Sequence, residues 1–263
     1  MRLIVFTDLD GTLLDHGDYS YSAALPALQA LRAQDIPLIL ASSKTAAEIA
    51  PLHEALGLGD WPIIVENGAQ RVTPGAAMHD RSPYERLRGL LEDLPAALRA
   101  CYRGFGDMTD TEVAKITGLP PDAARLARRR NFTEPGVWSG DEAGLTAFLA
   151  ELEARGITAR RGGRFLTLSF GGTKAGQMAG IMADLGCDTA IALGDAPNDT
   201  EMLETADYGV IIRNDHGQGI PALPGEARGT IIRSDAPGPA GWNACVLTLL
   251  DRLGYSKRAD RHG

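Results

Sequence analysis

Short apolar runs that return between helical stretches constrain the fold of this chain more than any other feature. Leu3 to Thr7, Ile36 to Ala41 and Pro62 to Glu66 read as strands. Between them, Ala23 to Gln34, with Leu25, Leu28 and Leu31 on one stripe, and Thr45 to Leu56 read as helices. Strands that are apolar throughout, rather than alternating, belong to a parallel sheet covered on both faces. Pro51 falls inside the second helical pattern and is expected to kink or shorten it. The rhythm breaks over residues 82–168, which are richer in Arg, Gly and Pro. There, helices are expected near Pro83 to Leu94, Pro121 to Arg130 and Asp141 to Arg155, and a strand over Gly162 to Phe170. The rhythm then resumes with a helix over Ala175 to Leu185, a strand over Ala190 to Leu193 and a helix near Asp199 to Thr205. Strands at Tyr208 to Ile212 and Thr230 to Arg233 and a last helix from Gly241 to Leu253 complete it. The expected fold is therefore α/β: a doubly wound, mostly parallel sheet built from residues 1–81 and 169–263, split by an inserted α+β unit over 82–168.

Composition narrows the function classes. The formal net charge of −8 argues against a nucleic-acid partner, because neutralising phosphates takes a basic surface. It leaves room for a small anionic substrate, since a bound metal and a few placed Lys or Arg residues reverse the field locally. No signal peptide or membrane-spanning run is recognisable. Cys101, Cys187 and Cys245 share no metal-type spacing and suggest a reducing compartment, so the expected location is the cytoplasm.

In an open α/β sheet the ligand site lies beyond the carboxyl ends of the strands. Asp8 and Asp10 follow the first run; Ser42, Ser43 and Lys44 the second; Glu66, Asn67 and Gly68 the third; Asp195, Asn198 and Asp199 follow a later one. Asp8 and Asp10, two apart in an extended chain, face the same side and repel unless a cation or hydrogen-bond donors hold them ionised. Each stretch has a plainer reading alone: Asp10-Gly11-Thr12 or Glu66-Asn67-Gly68 as turns, Ser43 or Thr45 as a helix cap, Pro197-Asn198-Asp199 as a helix start. Four strand ends that all present oxygen-rich or donor-rich residues on one edge instead suggest a site for Mg2+. The five histidines are scattered and none is given a catalytic role.

DLDGTLL, a Ser after the second strand, Lys174 after the insertion and GDAPND together resemble the haloacid dehalogenase (HAD) superfamily of aspartyl phosphotransferases. VFTDLDGTLLD, LILASSKTAAEI, IIVENGA, RNFTEPG, GGRFLTL and SDAPGPAGWN, which run through core and insertion, resemble its mannosyl-3-phosphoglycerate phosphatase family. One departure is Thr173-Lys174-Ala175, where that family has Asp-Lys-Gly; Thr173 can still cap the helix and keep the lysine in place. The resemblance implies a Rossmann-like core with a type IIB-like cap over 82–168 and a cytoplasmic phosphatase, monomer or homodimer. Its substrate would be a small phosphorylated sugar acid, 2-O-mannosyl-3-phosphoglycerate, converted to the compatible solute mannosylglycerate, with the glucosyl analogue or another sugar phosphate as the alternative.

The resemblance also implies residue roles. Asp8 would be the nucleophile and Asp10 the general acid and base, with Mg2+ held by Asp8, the Asp10 carbonyl, Asp195 and Asp199. Ser42 would donate to the phosphoryl group and Lys174 balance its charge, while Asn198 would hold Lys174 or a backbone turn beside the substrate. Arg130 and Arg164 would take the substrate carboxylate, Glu66 and Glu134 its sugar hydroxyls, and Ser43, Lys44 and Asn67 would contact it from the core side. Outside this reading stand a phospho-accepting signalling domain, which the length and the insertion disfavour, and a catalytically dead binding protein, which the filled catalytic positions disfavour.

Overall fold

A computed structural model describes residues 1–74, 80–162, 165–217 and 219–255. In chain order its elements are β1 (Leu3–Thr7), α1 (Leu25–Ala33), β2 (Leu38–Leu40), α2 (Ala46–Ala55), β3 (Ile63–Val65) and β4 (Gln70–Val72). Then come α3 (Ser82–Glu92), α4 (Ala96–Arg99), β5 (Tyr102–Gly104), α5 (Asp110–Thr117), α6 (Pro121–Ala127), β6 (Glu134–Trp138), α7 (Glu142–Ala154), β7 (Thr158–Gly162) and β8 (Phe165–Ser169). Last are α8 (Lys174–Leu185), β9 (Thr189–Gly194), α9 (Thr200–Thr205), β10 (Tyr208–Arg213), α10 (Pro224–Arg228), β11 (Ile231–Pro237) and α11 (Gly238–Arg252). The described residues of 1–42, 57–64 and 173–255 form one compact unit, and those of 43–56 and 65–172 form the other.

The first unit is the doubly wound sheet. Its strands lie in the order β11-β10-β9-β1-β2, all parallel. The apolar β1 is buried at every position, as a strand between two others with helices on both faces must be. Ile4 and Phe6 pack with Met178 and Ile181 of α8 and with Met202 and Leu203 of α9. On the opposite face, Thr7 accepts a hydrogen bond from the indole N–H of fully buried Trp242 in α11 (2.9 Å). A bridge between Ala41 and Ile64 continues the parallel pairing past the end of β2.

The second unit is built on an antiparallel sheet in the order β5-β6-β8-β7. Leu166 and Leu168 of β8 join Leu87 and Leu91 of α3 and Leu145, Phe148 and Leu152 of α7. Phe165, one residue out of phase, packs with Phe105, Val113 and Ala124 beside α5 and α6, so successive side chains feed two clusters. Where the sequence reads as one strand over Gly162 to Phe170, the structure has the hairpin of β7 and β8, pairing Gly162 with Phe165. Helix α2 belongs to this unit and packs on α6. Thr45 caps it in a reciprocal box with Glu48, and Pro51 lies within α2 without ending it.

An ion-pair network ties the second unit together. Asp107 accepts from Arg88 (2.5 Å), Arg99 (2.8 Å) and the Gly104 backbone N–H (2.9 Å). Burial pushes its carboxyl up, but these donors outweigh it and hold the pKa down at about 2. A carboxyl depressed on folding adds stability that is fully present above its unfolded pKa of about 4 and is lost as pH falls through the folded value. The network should therefore lose about 2 kcal/mol between roughly pH 4.5 and below pH 2. Thermal melting across that range checks this against Asp107→Asn, which should flatten the slope; identical slopes in both proteins would refute it.

Candidate active site

The turn after β1 carries the first acidic pair. Leu14 and Thr12 donate their N–H groups to the Leu9 carbonyl, and Gly11 takes φ +77° between them. A side chain there would place its Cβ 2.7 Å from an oxygen of Asp195, so both the backbone conformation and the space demand glycine. Thr12 does more than turn the chain: its hydroxyl donates to Asp195 Oδ1 (2.8 Å).

Asp8, Lys174, Asp195 and Asp199 converge within the first unit. Lys174 opens α8, capped by Thr173 as the sequence suggests, and its ammonium donates to Asp8 Oδ1 (2.5 Å) and Asp199 Oδ1 (2.7 Å). The other oxygen of Asp199 accepts from the N–H groups of Asp195 (3.2 Å) and Ala196 (3.1 Å), which fixes the turn after β9. Gly194 is required for that approach, since a Cβ on it would fall 2.4 Å from the Cβ of Asp199. One carboxylate oxygen from each of Asp8, Asp195 and Asp199 lies within 4.8 Å of the other two. Ser42, also buried, closes the neighbouring strand end after β2, with its N–H on the Ile64 carbonyl (2.9 Å). Asn198 is exposed on the turn before α9.

The electrostatics follow from burial. Lys174, between two carboxylates, is held protonated well above its ordinary value despite the burial that opposes its charge. Burial pushes the Asp8 carboxyl up, Lys174 pulls it down, and Asp199 and Asp195 push it up again. Asp195 rises to about 6, through burial and Asp199, against Thr12, Lys174 and Asn214. Three buried carboxylates face one ammonium, so the donor set has charge left for a divalent cation and the hard oxygens to hold it.

In the second unit Glu66 and Glu134 are both buried among donors of that unit. Glu66 is buried with φ +50°, and its carboxylate accepts from the backbone N–H groups of Asn131 (2.9 Å), Phe132 (3.2 Å) and Thr133 (2.8 Å) and from the Thr133 hydroxyl (2.7 Å). It anchors the 131–133 loop. Glu134 is fully buried as well: Tyr84 donates to one oxygen (2.5 Å) and the Gly106 N–H to the other (2.8 Å), with Arg88 3.6 Å away. Burial pushes its carboxyl up against those partners, so it is a strut of the inserted unit. Arg130 is buried and donates to the carbonyls of Ala127 and Ser43 (2.8 Å each). Lys44 and Asn67 are half-buried, Asn67 in a left-handed turn with φ +60°. Arg164 lies outside the described residues.

Sequence reasoning missed Asn214. It follows β10 on the same sheet edge, and its side-chain amide donates to Asp195 Oδ2 (2.6 Å). Extending the strand-end argument to one more strand would have reached it.

Residues 5–82 and 169–220, on either side of the insertion, match the family described as haloacid dehalogenase-like hydrolase. The chain is 32% identical over 274 residues to the glucosyl-3-phosphoglycerate/mannosyl-3-phosphoglycerate phosphatase of Persephonella marina, an alignment covering 95% of this chain and 98% of that protein. It is also 32% identical to the protein of the same name from Methanococcoides burtonii, covering 96% and 98% respectively. Among solved structures, a HAD subclass IIB sugar phosphatase shares the fold, with a TM-score of 0.62 at 17% identity over 96% of this chain and 99% of the other.

Proposed function

The chain belongs to the haloacid dehalogenase-like hydrolases, and from that premise we propose that it is a magnesium-dependent phosphomonoesterase that works through an aspartyl phosphate on Asp8. The observation that carries this reading is the buried ammonium of Lys174 bridging Asp8 and Asp199, with Asp195 beside them. Asp8 attacks phosphorus and the ester oxygen departs with a proton from Asp10, leaving the phosphoryl group on Asp8. Asp10 then takes a proton from water as the water attacks phosphorus, and Asp8 is released. Ser42 donates to a phosphoryl oxygen, and Lys174 keeps its charge beside the oxygens on which negative charge accumulates. Asp8, Asp195, Asp199 and the Asp10 carbonyl are the groups we assign to magnesium, which supplies neutralisation of the phosphate approaching a carboxylate. Asn198 would steady the Asp199 turn.

The names of both curated relatives point to a phosphorylated glycosylglycerate as substrate, with mannosyl-3-phosphoglycerate giving mannosylglycerate, and the glucosyl ester as the second reading. We assign residues 82–168 to substrate selection as a cap, with Arg130, Ser43, Lys44 and Asn67 as contacts for the glycerate and sugar. Among the described residues no helix is long and apolar enough to cross a membrane. The three unpaired cysteines support a reducing, cytoplasmic setting.

A phosphate-release screen over mannosyl-3-phosphoglycerate, its glucosyl analogue and simple sugar phosphates, with magnesium and with chelator, tests the reading. We expect release from the two glycosyl esters to exceed that from simple sugar phosphates and to vanish with chelator. Comparable rates on every ester would refute a dedicated role. Retention of the phosphoryl group for hours with no release from any ester would favour a signalling domain.

A further inference from the structure

We propose that Asn214 and Thr12 are positioning residues that lock Asp195 in the rotamer by which it joins Asp8 and Asp199 around a divalent cation. The inference rests on the cation reading above and deepens it. Asn214 sits at the end of β10, beside β9, from which Asp195 emerges. Its amide orientation is fixed from both ends. The oxygen accepts the backbone N–H groups of His216 and Gly217 (2.8 Å each), which only an oxygen can do, so the nitrogen must face the carboxylate. The turn that carries it is tied to the segment following Asp10 by His216, whose ring stacks on His16 with centroids 4.5 Å apart and planes 7° from parallel. Thr12 donates to the opposite oxygen of Asp195 (2.8 Å), and Gly11 lies close against the carboxylate. Each Asp195 oxygen thus has one fixed donor and keeps lone-pair capacity for a cation. Partners that orient a ligating carboxylate typically change metal affinity 10- to 100-fold when removed.

The test is calorimetric titration of the full chain with magnesium chloride, for wild type, Asn214→Ala and Thr12→Val, together with melting temperature and the kcat and KM for phosphate release. We expect saturable binding by the wild type and a dissociation constant raised about 10- to 100-fold in each variant. At saturating magnesium kcat should return to within a few-fold, with KM for the ester unchanged. A purely structural role predicts lower melting temperature and a smaller active fraction at an unchanged dissociation constant, and that result overturns the inference. Should Asn214→Ala disrupt its turn, Thr12→Val, nearly isosteric in a buried site, reads the same effect from the other oxygen. Wild type that binds while both variants bind equally well overturns this inference alone. Wild type that binds no magnesium overturns the cation reading with it.

Discussion

Replacing Asp8 by asparagine should abolish turnover, by about ten-thousand-fold or more, and leave the fold intact. The magnitude is that of losing a nucleophile whose partners cannot substitute for it. The preserved fold follows from the local charges. Burial and the neighbours Asp199 and Asp195 all disfavour a third buried carboxylate, while only Lys174 favours it, so an isosteric neutral amide relieves repulsion as it loses attraction. Steady-state phosphate release and a thermal melt check the two halves separately. Brief mixing of wild type with substrate, followed by mass measurement of the peptide containing Asp8, should show an added phosphoryl group that is absent from Asp8→Asn. Substantial turnover in Asp8→Asn would remove Asp8 from the chemistry.

Lys174→Met should be damaging in a different way, lowering stability and rate together. The ammonium is buried between Asp8 and Asp199, and removing one partner of a buried pair leaves the others uncompensated, at a cost of about 3 to 5 kcal/mol. Without it the Asp8 carboxyl is driven toward its neutral form and loses the charge a nucleophile needs. The expected result is a clear drop in melting temperature together with a rate loss of about a hundred- to a thousand-fold, the scale for deleting one electrostatic donor at a transition state. Melting unchanged from wild type, or an undiminished rate, would contradict the pairing.

Much of the first unit is legible in the sequence, because strands buried on both faces carry an unmistakable apolar signature. β1 occupies Leu3–Thr7 as the pattern predicts, and the strand-end rule leads directly to Asp8 and Asp195. The inserted unit is harder to read. β6 contains Pro135 and Gly136, which a pattern reader takes as turn residues, and β5 is only three residues long. Side-chain direction is harder still. Nothing in the sequence shows that left-handed backbone at Glu66 and full burial at Glu134 bring both carboxylates onto backbone N–H groups of their own unit. Asn214 is hidden for the opposite reason: an asparagine beside Asp215 and Gly217 reads as an ordinary turn, and only the parallel pairing of β9 with β10 brings it to Asp195.

The strand order has a consequence for how the molecule comes into being on the ribosome. β1 lies between β2 and β9, and its pairing with β9 joins Leu3 to Thr189 and Thr7 to Leu193. The second unit, complete by residue 172, can collapse while one edge of β1 still waits for a partner not yet synthesised. The buried cluster around Asp8 thus cannot assemble before Lys174 has been made, since the two meet across 166 residues of separation. Until β9 emerges, the fully buried strand β1 needs shielding from other nascent chains.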